Sequence, residues 1–430
     1  MRPLAVRPFG RLLASYTVNE IGDSVGIIAL AVLVYDRTGD VAPTAALFIA
    51  GKFLPAFLAP FLTAKLDQIA VRRSLPWLYV IEALVFVGLA AIAEGEFLLA
   101  AVLALAVVDG AIAVTARGLT RGAIASILQP AHLLREGNAL VNIGFAIGAV
   151  GGSALGGLLI SELGLGVALL ADAASFLVIA IVLAVTRDLP APETEAQGWM
   201  VRLREGFAFA RQNRRVRLLL GGQSVALILF TLIIPIEVIY AKESLDTTSA
   251  GFGFLLASWG AGIVAGSIVY AGVRDRSAAN LILLSTAAIG LAYLGMAGAQ
   301  SLLVACLLSV LGGTGNGIQW VSVMTALQEA TPADYQARVV GLLESSLAAM
   351  PGVGYLIGGT LTAVGSPRVA YAVAGVGTLV LVLAAMVVLR QIRLDRPRRR
   401  QEDLPPDSVP PLVPPADPPG VTVDAGDSGR

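Results

Sequence analysis

Two carboxylates, Glu20 and Asp23, lie three residues apart in an otherwise apolar stretch near the start of the chain. In a helix this spacing places both on one face, and the next apolar stretch holds a single lysine, Lys52. Two carboxylates with one basic partner cannot both ionise cheaply inside a membrane. We therefore expect Glu20, Asp23 and Lys52 to form a proton-coupling group.

Each of these residues also has a structural interpretation. Asp23 and Lys52 are both expected near the middle of the membrane, where we predict that they form an ion pair. Such a pair could equally be a strut between two helices. Glu20 could instead bond to a hydroxyl or amide group of a neighbouring helix.

Five further acidic residues occur in apolar stretches, where an ionisable group needs a cavity or a partner. They are Glu82, Asp109, Asp172, Glu237 and Glu344. We expect Glu82 and Asp109 to face a substrate cavity and Glu237 to be interfacial, whereas Glu344 could contact either Arg338 or a substrate. Seven acids against one base favour protons or cationic, amphiphilic solutes. The uncharged residues predicted to line the same cavity are Asn142, Gln223, Asn316 and Gln319.

The segments that carry these residues are long and apolar. The 430-residue chain is 56% hydrophobic and 14% charged, with a mean hydropathy of +0.79, whereas soluble domains carry about 25% charged residues. Runs of about 20 apolar residues, enough to cross a bilayer, recur twelve times. They cover approximately 12–35, 42–64, 74–93, 97–118, 137–161, 165–186, 217–240, 249–272, 279–298, 301–327, 338–362 and 368–390.

Composition also excludes several functions. An ordinary cytosolic enzyme is excluded by the shortage of charge, and the net charge of zero argues against nucleic acid as a partner. The single cysteine, Cys306, and the single histidine, His132, exclude a disulfide framework and a histidine metal site. We expect no metal and no cofactor, because no phosphate-binding loop or dinucleotide motif is present in a suitable context.

Basic residues predict the topology. With twelve spans, 26 of the 30 lysines and arginines fall on the side that holds both termini, and only Arg37, Lys242 and Arg368 fall on the other side. By the positive-inside rule both termini are cytoplasmic. We predict a multi-pass protein of the plasma membrane that is a monomer in the lipid bilayer.

The fold class predicted is an all-α integral membrane protein, with twelve transmembrane helices in two pseudo-symmetric six-helix bundles. The bundles are expected at 1–187 and 217–393, joined by a cytoplasmic linker at 188–216 that carries a surface helix. A Pro-rich cytoplasmic tail follows at 394–430 and is expected to be disordered.

An internal repeat supports the two bundles. Arg135 followed by Gly156-Gly157 is echoed by Arg338 followed by Gly358-Gly359, about 202 residues later. Parallel repeats of this kind are typical of transporters. Gly148, Gly152 and Gly156 recur every four residues and form a stripe on which another helix can pack closely. The stripe could serve packing alone or packing that slides between two states.

Several motifs resemble the major facilitator superfamily, and more narrowly its proton-coupled branch of drug, macrolide and siderophore exporters. The motifs are Asp67-x4-Arg72-Arg73, Arg11-Leu12-Leu13, Gly22-Asp23, Val34-Tyr35-Asp36-x-Thr38-Gly39, Asp172-Ala173-x-Ser175-Phe176 and Arg338-Val339-x-Gly341. The resemblance implies a gating loop at Asp67, Arg72 and Arg73. It also implies an antiporter-type helix pattern at Gly148, Gly152, Gly156 and Gly157.

The leading hypothesis is a secondary transporter that exports amphiphilic small molecules in exchange for protons, by alternating access. Uptake of a small nutrient or cation is the alternative within transport. From other classes, a membrane enzyme or a non-transporting scaffold remains, but no nucleophile–base or metal arrangement favours an enzyme.

Overall fold

The computed structural model describes residues 2–66, 71–128, 131, 133–186, 199–273 and 276–394. All regular secondary structure in these residues is helical, and twelve helices are long and apolar enough to cross a membrane. The predicted all-α class and the predicted number of spans are confirmed, and the chain is a multi-pass membrane protein.

The first six spans, called here the N-terminal half, contain eight α-helices. They are α1 (Arg7–Thr38), α2 (Val41–Phe48), α3 (Leu54–Leu66), α4 (Val71–Glu94), α5 (Leu99–Leu128), α6 (Leu134–Ile147), α7 (Ser153–Leu163) and α8 (Leu165–Ala184). A π-helical turn, Ile49–Phe53, joins α2 to α3, and a second, Gly148–Gly152, joins α6 to α7. Each of these pairs therefore forms one continuous span.

The last six spans, called the C-terminal half, follow a shorter helix, α9 (Trp199–Gln212). They comprise α10 (Arg214–Thr231), α11 (Glu237–Ile239), α12 (Ser249–Val273), α13 (Ala278–Gly298), α14 (Leu302–Ala330), α15 (Ala333–Val364) and α16 (Pro367–Leu394). The seventh span, Arg214–Ser244, includes a 3-10 turn at Ile234–Ile236 and a third π-helical turn at Tyr240–Ser244.

Local sequence explains how the helices begin and end. Gly39 adopts the left-handed conformation, with φ of 64°, and closes the C-terminus of α1. Asp40 then caps α2, because its carboxylate accepts a hydrogen bond from the backbone N–H of Ala42 at 3.2 Å. The Thr38-Gly39-Asp40 sequence therefore makes a tight turn between the first two spans.

Large apolar side chains cover the outer surfaces of the spans. Leu84, Ile181, Leu303 and Val364 are each at least 64% exposed. In water an apolar surface of this extent would promote aggregation, whereas the hydrocarbon of a membrane is a favourable environment for it. The surface pattern therefore agrees with the membrane predicted from composition.

The described residues up to Met386 belong to one compact unit, and those from Val387 to Leu394 belong to a second. Within the first unit, α9 packs on α15, where the rings of Phe209 and Tyr335 are stacked at 4.5 Å. This helix lies in the predicted linker, whose residues 188–198 are outside the described part of the chain. The predicted tail is outside it as well, apart from Leu394. The division into domains at 1–187 and 217–393 stays a prediction.

Candidate functional site

Arg117 of α5 forms an ion pair with Asp23 of α1. Its Nη2 lies 2.9 Å from Oδ2 of Asp23, and the side chains are 32% and 17% exposed. The side-chain amide of Asn19 donates a hydrogen bond to the same oxygen at 3.2 Å. One carboxylate oxygen therefore has two donors, one of which is a cation.

The predicted ion pair between Asp23 and Lys52 is wrong. Within the described residues, Lys52 has no ion pair within 4.0 Å, and Arg117 takes that place. The predicted span 97–118 places Arg117 at the cytoplasmic end of a helix, but α5 continues to Leu128. One signal was present in the sequence, because Asp109, Ala113 and Arg117 recur every four residues and share a helix face.

Lys52 nevertheless lies beside this ion pair. A cavity of about 20 Å³, called here the narrow cavity, is lined by Asp23, Lys52, Asp109 and Arg117 among apolar side chains. It has room for one or two water molecules. Two acids and two bases balance in charge, so a proton that binds to either acid leaves the cavity positive, and a proton that binds to Asp23 removes its charge attraction to Arg117.

A larger cavity, called the central cavity, lies between the N-terminal and C-terminal halves and has a volume of about 290 Å³. Its wall is mostly apolar and carries five aromatic rings, from Phe48, Phe145, Phe230, Phe252 and Trp259. The rings of Trp259 and Phe230 lie 5.6 Å apart, and Tyr293 is stacked behind Trp259. The face of an aromatic ring attracts a cation that lies within about 6 Å of its centre.

Two carboxylates line the central cavity from opposite halves, Glu20 of α1 and Glu237 of α11. Glu20 is 6% exposed, and one of its oxygens has no hydrogen-bond partner among the described residues. The interfacial position predicted for Glu237 is wrong, because the seventh span continues through two irregular turns to Ser244 and places Glu237 deeper. The cavity therefore combines an apolar body with two acidic groups.

The residues predicted to line a substrate cavity lie elsewhere. Neither the carboxylates Glu82 and Asp109 nor the amides Asn142, Gln223, Asn316 and Gln319 line the central cavity. Asp109 lines the narrow cavity, and Glu82 is buried inside the N-terminal half. The side-chain amide of Gln319 donates a hydrogen bond to the hydroxyl of Thr286 at 3.3 Å, so this amide joins α14 to α13. Asn142 is exposed.

The predicted gating loop is only partly described. Asp67 lies outside the described residues, as does the side chain of Arg72, while Arg73 is exposed at the start of α4. The role of this loop stays a prediction.

Contacts between the halves occur at the end of the spans that the charge pattern assigns to the outside. The Tyr35 hydroxyl donates a hydrogen bond to Glu243, and Lys242 forms an ion pair with Asp36. The Lys242 ammonium also lies 5.9 Å from the centre of the Tyr35 ring. These are called the outer-end contacts, and they hold α1 to the π-helical turn Tyr240–Ser244.

Arg368 supports the outer-end contacts from within the C-terminal half. Its guanidinium donates hydrogen bonds to the carbonyl oxygens of Ala297 and Ser244, at 3.0 and 2.9 Å. Ser244 ends the π-helical turn that carries Lys242 and Glu243. Tyr35 and Asp36 of the N-terminal half therefore contact a turn that Arg368 holds in position.

Close glycine contacts occur both within and between the halves. A methyl group at Gly148 would lie 2.5 Å from the Glu20 Cβ, and one at Gly152 would lie 2.6 Å from the Ile21 carbonyl oxygen. Gly156 faces the Val25 backbone, whereas Gly157 faces α12, with 2.6 Å from its added methyl to the Ser249 carbonyl oxygen. Gly148, Gly152 and Gly156 therefore pack closely against α1, whereas Gly157 packs closely against α12 of the other half.

The repeat-related glycines divide in the same way. Gly358 packs on the Leu232 backbone within its own half, and a methyl at Gly359 would lie 2.9 Å from the Ala45 Cβ in the other half. At both glycine pairs, the first residue packs inside its half and the second across the interface.

Comparison with known proteins agrees with this architecture. A family model described as Major Facilitator Superfamily matches residues 219–419, somewhat less than half of the chain. The structure of the nucleoside transporter NupG superposes with a TM-score of 0.70 and 15% identity, covering 89% of this chain and 99% of that one. The chain has the major facilitator fold.

Two further similar structures come from POT family transporters. PepTSo superposes with a TM-score of 0.69 and 11% identity, covering 90% of this chain and 99% of that one. A POT family transporter in complex with a thioalcohol-conjugated peptide superposes with a TM-score of 0.68 and 12% identity, covering 90% of this chain and 96% of that one. At these identities the likeness establishes the fold alone. A search of curated proteins finds no match.

Proposed function

We propose that this protein is a secondary transporter that moves a compact, cationic, amphiphilic small molecule through the central cavity. The observation that carries this proposal is the wall of that cavity, where aromatic rings surround two carboxylates from opposite halves. Rings accommodate the apolar body of the solute, and a carboxylate attracts its cationic centre. A volume of about 290 Å³ lies at the lower end of the range of small-molecule sites, which favours a compact solute over a macrolide or a siderophore.

Exchange for protons follows from the position of Glu20. This residue lines the central cavity and lies one turn from Asp23, which lines the narrow cavity. A cationic solute needs the Glu20 carboxylate ionised, whereas a proton neutralises it, so the two compete. Competition of this kind produces antiport, and an inward proton gradient then drives export.

Alternating access would require the outer-end contacts to break and re-form. These contacts close one end of the interface between the halves. Rocking of the two halves about the central cavity is the simplest motion that exposes it to each side in turn.

Transport in proteoliposomes tests the proposal, with N-methyl-4-phenylpyridinium as a flat aromatic cation. Accumulation should follow an imposed pH gradient and stop when the gradient is dissipated. Glu237→Gln should weaken binding of this cation about tenfold, which corresponds to ~1.4 kcal/mol. The matched control is Glu162→Gln, which removes an exposed carboxylate that does not line the cavity.

Uptake of a solute of nucleoside size is the second candidate. The similar structures are those of nucleoside and peptide transporters, and the cavity is small. Counterflow with nucleosides and dipeptides separates the two candidates. Counterflow of these solutes, with no transport of the aromatic cation, would overturn the export proposal.

A further inference from the structure

Two acidic residues of the N-terminal half line neither the central nor the narrow cavity. Asp172 of α8 and Glu82 of α4 are each only 1% exposed. Oδ1 of Asp172 accepts a hydrogen bond from the Ser175 hydroxyl at 3.2 Å. In the described part of the chain, Oδ2 of Asp172 and Oε2 of Glu82 are buried without any hydrogen-bond partner.

Glycines in α1 make room for the Asp172 carboxyl group. A methyl group at Gly22 would overlap Oδ1 of Asp172 and lie 2.5 Å from the Ser175 Oγ. One at Gly26 would overlap Oδ2 and lie 2.7 Å from the Phe86 ring. Gly22 and Gly26 are four residues apart on one helix face, so the carboxyl group lies directly on the α1 backbone.

Aromatic rings close this site. Glu82 lies one turn before Phe86 in α4, and Asp172 lies one turn before Phe176 in α8. The ring centres of Phe86 and Phe176 are 5.4 Å apart, and Tyr79 is stacked on Phe176 at 6.2 Å. The two acids therefore flank an aromatic cluster in an apolar interior.

The charged groups near these acids offer little compensation. Asp172 interacts electrostatically with Asp23 and Asp109, and no cation among the described residues forms an ion pair with it. Glu82 interacts with the same two acids, with Asp172 and with Arg117, but Arg117 is already paired with Asp23. An ionised carboxylate that lacks both a free cation and enough hydrogen bonds is strongly disfavoured in such an interior.

We propose that Asp172 and Glu82, which line neither cavity, form a second proton-binding site in which both carboxyl groups hold a proton in this conformation. Glu82 interacts electrostatically with Asp172 as well as with Asp23 and Asp109, so a change in the charge of any of these acids alters the cost of ionising Glu82. This proposal goes beyond the transport function and depends on neither the solute nor its direction.

Infrared spectroscopy of the purified full-length protein in lipid tests this directly, because a protonated carboxylic acid has a carbonyl stretch that a carboxylate lacks. At neutral pH the wild type should show this band, shifted in heavy water. Asp172→Asn and Glu82→Gln should each remove a part of it, while Glu162→Gln, at an exposed carboxylate, should leave it unchanged.

If Asp172→Asn does not fold, Ser175→Ala gives the same information, since loss of that hydrogen bond should shift the frequency of the Asp172 band without removing it. A wild-type spectrum without a carboxylic acid band at neutral pH overturns the proposal. So does a band that all of these substitutions leave unchanged.

Discussion

The guanidinium of Arg117 lies 2.9 Å from the carboxylate of Asp23 and ties α5 to α1 inside the N-terminal half. Removal of one partner leaves the other charge without compensation, which costs about 3–5 kcal/mol for a fully buried pair. The partial exposure of this pair places the cost at the lower end of that range. Asp23→Asn and Arg117→Gln should each lower the thermal unfolding midpoint, and the double variant should lower it by less than the sum.

The matched control for this double-mutant cycle is Arg215 with Glu329, an exposed pair 4.0 Å apart. Arg215→Gln and Glu329→Gln should have small, additive effects. Additive effects at Asp23 and Arg117 as well would contradict a coupled pair.

Weakening the outer-end contacts should open the central cavity toward the outside. An exposed ion pair or hydrogen bond stabilises by up to about 1 kcal/mol, which is roughly a fivefold change in population. Ser24 lines the central cavity, so Ser24→Cys in a Cys306→Ser background reports access by a membrane-impermeant maleimide added outside cells. Asp36→Asn with Glu243→Gln should raise the labelling rate several-fold.

Glu96→Gln removes another exposed carboxylate at the predicted outer end, one that takes no part in the outer-end contacts. It should leave the labelling of Ser24→Cys unchanged. Equal labelling with and without Asp36→Asn and Glu243→Gln would show that these contacts do not control access.

Gly157 and Gly151 offer a matched test of close packing between the halves. A methyl group at Gly157 would lie 2.6 Å from the Ser249 carbonyl oxygen and 2.9 Å from the Gly253 Cα, whereas one at Gly151 meets nothing within 4 Å. Gly157→Ala should therefore disfavour the closed outer end and raise outside labelling of Ser24→Cys. Gly151→Ala should behave as the wild type, and identical labelling of the two variants would refute the packing role.

Binding of a cation to the central cavity should weaken as pH falls, because protons then occupy Glu20 and Glu237. Calorimetry with N-methyl-4-phenylpyridinium at several pH values measures this dependence, which Glu237→Gln should flatten. The uncharged isostere 4-methylbiphenyl should bind independently of pH, as judged by quenching of the tryptophan fluorescence of the protein. An affinity for the cation that does not vary with pH would argue against competition with protons.

A second double-mutant cycle tests the contact between the Asp172 carboxyl group and the backbone of α1 at Gly22. Gly22→Ala should destabilise the protein, because its methyl group overlaps the Asp172 carboxyl and crowds Ser175. Asp172→Ala in the same chain removes the overlap, so the unfolding midpoint should recover in part. Failure to recover would place the carboxyl group elsewhere.

The spans were predictable because hydropathy and length report on the solvent around a helix. The turn at Gly39 and Asp40 was also readable, since left-handed glycine and an N-cap aspartate are local signals. Both features depend on residues that are close in sequence.

The cavity was much less predictable, for reasons that particular residues illustrate. Arg117 and Arg121 follow an apolar run and thus suggested the cytoplasmic end of a helix, although α5 continues past them. Around Gln319, α14 is apolar or small on several faces, so its sequence does not indicate which face meets a cavity and which meets a neighbour. Glu237 was misplaced because the irregular turns around it alter the depth expected for a regular helix.

The three π-helical turns have a consequence for the length of the chain. Each holds one residue more than an α-helical turn, and they carry Lys52, the Gly148–Gly152 contact with α1, and Lys242. Deletion of a single residue within Ile49–Phe53 would restore α-helical bonding and remove the widened turn that positions Lys52. At these three places the number of residues matters as much as their identity, and a deletion elsewhere in a connecting loop should be tolerated far better.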